Sequence, residues 1–401
     1  MRAMLRVPTA VLALLPLLAG AGRARAAAPP NGVSDTEVVF GMSAPFSGPS
    51  KEYGRQLRIG IELAFAAVNE AGGVVGRRLR LVAVDDGDEP ARSMTAVRDL
   101  VERQKVFGLV GVFGSASSAA ILPYVTEKRV ILFGAYSGAA LLRNDPPDRY
   151  VFNFRPSHME EAAAVVKYLV EVRRIKPAQI AVFHQDDSFG EAGWNGVARA
   201  MRRYGVDPTQ VIRATYRRNT VDVDGAFRLV QKNAARLRAA VMVAVYKPAI
   251  RFIEKVRSAG LDLVLTNLSG VGPSELADEL RQLGPRYAAG VVVTQVVPPP
   301  TAKATAVLRY QELLRRLAPE AAPDYTSLEG YVVASLLAEG VRRAGRKLDA
   351  EALVEALEGI KGFDMGIGMP LGFGPSQHQA SHKVWGTLLQ ADGAYRSVDL
   401  E

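Results

Sequence analysis

The segment from residue 38 to residue 86 constrains the fold of this 401-residue chain more than any other. It opens with an apolar run that reads as a strand, followed by a polar loop and a helix over 54–69. The apolar side chains of that helix recur at three-and-four spacing, at Leu57, Ile61, Ala64, Phe65 and Val68. Such spacing predicts one buried stripe. Gly72 and Gly73 then mark a turn into a second strand, so the segment predicts a βαβ unit.

The alternation of strands and helices continues along most of the chain. Helices of about this length between short apolar strands predict an α/β fold with parallel, doubly wound sheets. The further predicted helices span 90–103, 118–128, 160–173, 193–204, 224–234, 248–259, 274–283, 304–317, 327–344 and 350–357. The further predicted strands span 106–112, 130–133, 180–183, 211–215, 239–245, 263–266, 290–294, 384–389 and 395–398.

Residues 1–26 read as a signal peptide. Arg2 and Arg6 precede an apolar run over 7–19, and Ala24-Arg25-Ala26 forms a small-x-small cleavage site. An uncleaved membrane anchor is the alternative, but the run falls short of the ~20 residues that a spanning helix needs. The chain contains 0 Cys, which leaves no disulfide, thiolate metal site or lipid-modified cysteine. We therefore expect an exported, freely diffusing periplasmic protein.

The net charge of +9 does not predict a nucleic-acid-binding protein. Four arginines of the chain lie within residues 1–26, so the remaining residues carry +5. The basic pairs along the chain lie on segments that also carry acids, and they lack the interleaved aromatic residues of a strand-binding groove. A solvated surface is the better interpretation.

One set of motifs resembles a known family. Ser47-Gly48-Pro49 and Tyr53-Gly54 are followed by Asn69-x-x-Gly72-Gly73-x-x-Gly76-Arg77 and a strand that ends in Asp85-Asp86. This order resembles the leucine/isoleucine/valine-binding protein family of periplasmic ABC-transporter receptors, and the similarity extends over nearly all of the chain after residue 36. The resemblance implies a type I periplasmic binding fold, in which two lobes are joined by three crossings of the chain.

The three crossings match 155–157, 294–298 and about 382–385. We expect an N-terminal lobe of residues 27–156 plus 295–383 and a C-terminal lobe of 157–294 plus 384–401. Pro298-Pro299-Pro300, which alone would indicate only a loop, falls at the second crossing. The helices after this proline run should therefore complete the N-terminal lobe.

Two strand-to-helix turns of the N-terminal lobe are candidates for ligand contact. Small hydroxyl residues follow buried strands at Phe113-Gly114-Ser115 and at Ala135-Tyr136-Ser137, where ligands bind in open α/β sheets. Taken singly, either serine cluster is better explained as a helix N-cap. The resemblance implies that Ser115, the carbonyl of Ala135 and Ser137 hold the carboxylate and ammonium of an amino acid. It also places Tyr53 beside the ligand side chain, where an ordinary core tyrosine is the equal alternative.

The C-terminal lobe should supply the closing wall. The loop 185–190 and the segment 245–248 each follow a strand, and the resemblance places Phe189 and Tyr246 at the ligand. It places the acid that binds the ammonium near Ser269 and Gly270, where this chain has no acid. Asp186, Asp187 or Glu160 of neighbouring loops could substitute for that acid, but nothing in the sequence shows that any of them reaches the site. We therefore predict a carboxylate ligand without an α-ammonium group, such as an aromatic or short aliphatic acid, and poor binding of leucine, isoleucine and valine.

Catalytic and metal-binding motifs are weak in this sequence. The acidic run 85–89 lacks the alternating ligands of a calcium loop, and His378 and His382 lack a third ligand. No phosphate-binding loop or nucleophile elbow occurs. We expect no enzyme, no metal and no cofactor.

The expected function is that of a monomeric periplasmic receptor. It would close on a small carboxylate-bearing ligand, an amino acid or a related organic or aromatic acid, and deliver it to a membrane ABC permease. A ligand sensor or regulatory subunit with the same fold is the alternative, and an exported enzyme comes third. Neighbouring genes for permeases and ATPases would favour transport, whereas a neighbouring histidine kinase gene would favour sensing.

Overall fold

The structure, a computed structural model, describes residues 31–400 as alternating strands and helices. The strands are β1 Glu37–Ala44, β2 Arg78–Asp85, β3 Gly108–Val110, β4 Ile131–Phe133, β5 Val151–Phe152, β6 Ile180–Gln185, β7 Arg213–Tyr216, β8 Ala239–Val243, β9 Val264–Asn267, β10 Val292–Gln295, β11 Phe363–Asp364, β12 Pro370–Leu371, β13 Trp385–Leu389 and β14 Tyr395–Val398. The helices are α1 Lys51–Glu70, α2 Pro90–Arg98, α3 Ser115–Glu127, α4 His158–Lys167, α5 Ser188–Arg203, α6 Asp224–Lys232, α7 Tyr246–Ser258, α8 Pro273–Leu283, α9 Pro285–Ala288, α10 Thr305–Leu317, α11 Tyr325–Ala344 and α12 Ala350–Glu358. The predicted signal peptide lies outside the described residues.

The first sheet has five strands in the order β2-β1-β3-β4-β5, and all of them are parallel. Strands β3 and β4 are buried at every position, which is why they read as continuous apolar runs. Their carboxyl ends meet at one edge of the sheet, the edge at which ligands bind in open α/β sheets. We call this sheet with its helices the N-terminal lobe.

The second sheet has seven strands in the order β14-β13-β10-β9-β8-β6-β7. Strands β6 to β10 are parallel, whereas β13 runs antiparallel to both β10 and β14. The hairpin at the end of the chain therefore completes the sheet of the C-terminal lobe. The prediction of an α/β fold with mostly parallel sheets is confirmed.

Helix α11, which follows β10 of the second sheet in sequence, packs against α1 of the N-terminal lobe. A Cβ atom on Gly60 would lie 1.8 Å from the carbonyl oxygen of Ser327, and one on Gly330 would lie 2.5 Å from that of Leu57. The two backbones therefore touch, and only glycine fits at these positions. The chain after the proline run thus packs against the first sheet's helix α1.

The chain passes between the two sheets three times, after β5, after β10 and before β13. The first and third passages run side by side, because Ala380 N donates to Asn153 O at 2.9 Å and Ser381 N to Phe154 O at 3.0 Å. These passages agree with the three crossings that the resemblance implies. The exact lobe boundaries remain a prediction.

Three helices begin closer to the preceding strand than the apolar periodicity predicts. Helix α3 begins at Ser115 rather than 118, α5 at Ser188 rather than 193, and α7 at Tyr246 rather than 248. Apart from Phe189 and Tyr246, the early turns carry small or polar residues, which leave no apolar period to read. Gly114 (φ 88°) provides the turn before α3, and the Asp187 side chain accepts the N–H groups of Phe189 and Gly190 to cap α5. These N-termini consequently lie at the edge where the lobes meet.

Candidate functional site

A cavity of about 30 Å³ lies between the lobes, at the carboxyl ends of the strands. Each lobe and the first crossing between them contribute to its wall. The residues that border it are Asp88, Phe113, Gly114, Ser115, Ala116, Tyr136, Arg155, His158, Gln185, Asp187, Phe189, Val245 and Gly270. Two larger grooves, of about 450 and 750 Å³, are bordered by residues such as Glu160 and His382 and by none of the predicted ligand residues.

Six of the predicted site residues border this cavity. Phe113, Gly114, Ser115 and Tyr136 come from the N-terminal lobe, and Phe189 and Gly270 come from the C-terminal lobe. The rings of Phe113 and Tyr136 stack with centroids 5.5 Å apart. The structure therefore brings residues that are far apart in sequence to one place. Whether they contact a ligand remains a prediction.

Ser115 and Ser137 form the polar pair of the N-terminal lobe. Their Oγ atoms lie 2.7 Å apart, both side chains are buried, and Ser137 Oγ also accepts the N–H of Ala139. Ser115 is the first residue of α3 and does not cap the helix through its side chain, so the simple N-cap interpretation fails for it. The pair places two hydroxyls beside a helix N-terminus, an environment that favours an anion.

Three predicted residues lie behind the cavity wall. The carbonyl of Ala135 accepts the N–H of Ser137 at 2.7 Å. The Tyr53 hydroxyl donates to the carbonyl of Gly270 at 3.0 Å, and the Tyr246 hydroxyl donates to that of Pro49 at 2.8 Å. Both tyrosines thus link one lobe to the other, and Tyr53 packs on Phe113 with ring centroids 4.9 Å apart.

Ser269 is paired with a buried arginine that sequence reasoning did not place in the site. Nη2 of Arg155 donates to Ser269 Oγ at 2.5 Å, and the guanidinium lies 4.4 Å from the centroid of the Tyr136 ring. Nε of Arg155 lies 3.3 Å from Glu329 Oε1 but makes no hydrogen bond. Arg155 is 1% exposed and borders the cavity, so its charge acts in a water-poor environment.

Glu161 and His158 surround this arginine. Glu161 Oε2 accepts the backbone N–H of Ser269 at 2.9 Å and the Thr294 hydroxyl at 2.5 Å. Burial acts to raise the pKa of Glu161, but the contact with His158 and the charge of Arg155 outweigh it and lower the pKa to about 2. Burial lowers the pKa of His158, although Glu161 opposes this. Glu161 is therefore ionised and His158 is neutral at pH 7.

His158 has both ring nitrogens engaged. Nε2 accepts the N–H of Gly138 at 3.0 Å, and Nδ1 lies 3.3 Å from Glu161 Oε1. A neutral imidazole that accepts at Nε2 carries its proton on Nδ1, which then donates to Glu161. This arrangement fixes the ring and leaves no free nitrogen to act as a base.

Two acids on the cavity wall were absent from the predicted site. Asp187 Oδ1 caps α5, and its Oδ2 accepts Gln185 Nε2 at 2.8 Å and lies 3.6 Å from Arg218 Nε. Asp88 Oδ2 accepts the Ser50 hydroxyl at 3.1 Å. Burial raises the pKa of Asp88 to about 7, although the charge of Arg218 opposes this. Asp88 was read as part of a capping acidic run, and only its position after a strand end was available as a signal.

The remaining acids named from the sequence do not reach the cavity. Asp186 is exposed. Glu160 accepts the N–H of Ser157 and pairs with His382 at 2.6 Å, so it stabilises the start of α4 and the third crossing. His378 contacts the carbonyl of Val151 and the carboxylate of Glu358. No group of three metal-ligating side chains occurs within residues 31–400.

Comparison with known proteins identifies the family. A family model described as "periplasmic binding protein" matches residues 37–394. The chain belongs to the periplasmic binding protein family. The structure of a possible leucine/isoleucine/valine-binding protein from Rhodopirellula baltica SH 1 superposes with a TM-score of 0.86 at 34% identity, covering 93% of this chain and 98% of that one.

Curated relatives point the same way. An amino acid binding protein of Pseudomonas aeruginosa is 26% identical over 261 residues, 64% of this chain and 67% of the relative. A Leu/Ile/Val-binding protein homolog of Brucella melitensis is 22% identical over 338 residues, 83% of this chain and 86% of the relative. The resemblance read from the motifs is confirmed: this is a type I periplasmic binding fold of the Leu/Ile/Val-binding, ABC-transporter substrate-binding kind. Among the described residues, no helix is long and apolar enough to cross a membrane.

Proposed function

We propose that this protein is a periplasmic receptor that closes on a small carboxylate-bearing solute and delivers it to an ABC importer. The observation that carries the proposal is the cavity between the lobes, which is bordered by polar and aromatic groups from both of them. A site divided in this way is complete only when the lobes meet, so ligand contact and closure are coupled. A closed shape is what a membrane partner can recognise.

The polar groups on the wall suit a carboxylate. Ser115 offers a hydroxyl that is bonded to the Ser137 hydroxyl behind it, the N-terminus of α3 offers unpaired N–H groups, and Arg155 offers a buried positive charge. Phe113, Tyr136 and Phe189 provide apolar surface for the rest of the molecule. His158 is held by two partners, so its ring has no free nitrogen to act as a general base, and we propose binding without turnover.

The proposed motion is a hinge movement of the two lobes, with residues 27–156 plus 295–383 in one and 157–294 plus 384–401 in the other. The cavity of about 30 Å³ has room for only a few water molecules. A ligand must therefore enter an opened form in which the Tyr53–Gly270 and Tyr246–Pro49 hydrogen bonds are broken. We propose that the receptor acts as a monomer after removal of residues 1–26 in the periplasm.

The test begins with a thermal-shift screen of the mature protein against amino acids and organic acids. A ligand at a hundredfold its dissociation constant adds ~2.7 kcal/mol to the free energy of unfolding. Each hit is then titrated by calorimetry and added during small-angle scattering, where we expect a smaller radius of gyration. Mass spectrometry should recover the ligand unchanged. A screen without hits, a hit that leaves the scattering profile unchanged, or a ligand that is converted would contradict the proposal.

A further inference from the structure

The buried guanidinium of Arg155 borders the cavity and makes one side-chain hydrogen bond, to Ser269. Arg155 is 1% exposed and borders the cavity, its Nη2 donates to Ser269 Oγ, and its Nε makes no hydrogen bond. A guanidinium carries five N–H donors, and a buried donor without a partner is costly. Nε lies beside Glu329, so an acceptor in the cavity would be a further partner for the guanidinium at the side that borders the cavity.

The acids around the cavity are largely committed to partners within the protein. Glu161 accepts hydrogen bonds from Ser269 and Thr294, and Glu329 lies beside Arg155 Nε. Asp187 caps α5 and lies near Arg218. No carboxylate among them is left to pair with a ligand cation at the Arg155 side of the cavity.

Asp88 is the acid that faces the cavity with least compensation. One of its oxygens accepts the Ser50 hydroxyl, and a Cβ atom on Gly114 would lie 3.3 Å from the other. Its pKa of about 7, raised by burial, allows a proton on this group near neutral pH. In that state Asp88 is a hydrogen-bond donor to an anion rather than a counter-ion for an ammonium.

We infer that Arg155 binds the ligand directly and sets its specificity, and that the cleft takes a short organic carboxylate without an α-ammonium group. This inference rests on the proposed receptor function and deepens it. The carboxylate lies between the Arg155 guanidinium and the N-terminus of α3 at Ser115. The apolar part of the ligand packs on Phe113, Tyr136 and Phe189. An α-ammonium in the same place would meet a buried cation.

Matched pairs of probes test the specificity. Ligand-stripped protein is titrated by calorimetry with 4-methylpentanoate against leucine, and with 3-phenylpropanoate against phenylalanine. Within each pair the carbon skeleton is the same, and only the α-ammonium differs. In at least one pair we expect the deaminated acid to bind at least tenfold more tightly than the amino acid. In neither pair do we expect the amino acid to bind more tightly.

Two substitutions at one position test the role of Arg155 without removing the buried charge. Ser269→Asp places a carboxylate against the guanidinium, and we expect it to weaken binding of the deaminated acid at least tenfold and to narrow the discrimination against the amino acid. Ser269→Ala is the matched comparison, because it removes the same hydroxyl without adding a charge, and we expect it to weaken binding less than Ser269→Asp does. Arg155→Lys, which keeps the charge but loses the planar fork, should weaken binding at least tenfold at an unchanged melting temperature.

The outcomes separate this inference from the receptor function. Tighter binding of the amino acids, or equal effects of Ser269→Asp and Ser269→Ala, would overturn the inference while the receptor function stands. If the protein binds a solute that lacks a carboxylate, and binds neither the amino acids nor the deaminated acids, the inference is overturned and the receptor function is restricted to ligands without a carboxylate. A protein that binds no small solute would overturn both.

Discussion

The Tyr53 hydroxyl donates to the carbonyl of Gly270 across the boundary between the lobes, at 3.0 Å. Tyr246 makes the reciprocal bond to Pro49 at 2.8 Å, so each lobe contributes one tyrosine that holds a backbone carbonyl of the other. These bonds define the conformation as closed. Neither tyrosine borders the cavity, so substituting one of them should change the free energy of closure without removing a ligand contact.

Tyr53→Phe should weaken ligand binding by shifting the lobes towards an open state. The substitution keeps the ring against Phe113 but removes a hydrogen bond worth ~0.5 to 1.5 kcal/mol, or about two- to tenfold in affinity. Calorimetry measures the affinity, and scattering of the unliganded protein measures the opening. Tyr204→Phe is the control, since that hydroxyl bonds Glu171 within the C-terminal lobe. Equal effects of the two variants would contradict the idea.

Replacing Ser115 and Ser137 together by Ala should weaken binding by ~2 to 5 kcal/mol, because two hydroxyl bonds to a charged group are lost. The hydroxyls bond each other in the structure, so removing both avoids leaving one unpaired. Ser118→Ala serves for comparison: its hydroxyl donates to the carbonyl of Gly114 on the same helix. Calorimetry that finds unchanged affinity at an unchanged melting temperature would place the ligand elsewhere.

The affinity for a deaminated acid should rise as the pH falls from 8 to 6. Asp88 has a pKa raised to about 7 by burial, and it lies near Arg218, Asp86 and Asp187. A bound anion favours the protonated carboxyl and raises that pKa further, so binding takes up a proton; a bound ammonium would have the opposite effect. Each unit of added shift is worth about tenfold in affinity.

Asp88→Asn supplies the control for this pH dependence, because an amide keeps the shape and cannot titrate. We expect dissociation constants that vary much less between pH 6 and pH 8 in this variant. Affinity that rises with pH in the parent protein would count against an anion beside Asp88 and in favour of an ammonium.

Glu275 should destabilise the closed protein at high pH. Its Oε2 is buried without a hydrogen-bond partner, and burial, with the charge of Asp324 in the opposite lobe, raises its pKa to about 8. Because the pKa of Glu275 is higher in the folded protein than in the unfolded one, the protonated Glu275 supports the full free energy of unfolding below the unfolded pKa of about 4.3. That free energy falls as the pH rises to about 8. Glu275→Gln should thus stabilise the protein by several kcal/mol at pH 8 and by about 1 kcal/mol at pH 5, as measured in denaturant titrations. A difference that is the same at both pH values would refute this assignment.

Local patterns predicted the order of strands and helices because burial on one face repeats with the period of the element. They failed where the repeat is missing, as at the polar first turns of α3 and α5. Motifs succeeded in identifying Ser115 and Phe189 as candidates, because each residue follows a strand end that is recognisable in the sequence.

Arg155 escaped prediction for a different reason. In sequence it is a loop residue before Pro156, which reads as exposed, whereas in the structure it is buried against Tyr136, Ser269 and Glu329. Those partners come from three distant parts of the chain, and no local pattern records their meeting. Asp88 and Asp187 were missed likewise, since a short acidic run looks the same whether it caps a helix or lines a cleft.

The backbone contact between α1 and α11 sets the order in which this protein acquires its shape during synthesis. The apolar stripe at Leu57 and Ile61 lacks its contact with α11 until the ribosome has made that helix, because Gly330 must approach Leu57. Contacts this distant in sequence also form slowly. The nascent chain therefore spends most of its synthesis without a finished N-terminal lobe, which is the state in which a polypeptide can still be threaded through a membrane channel.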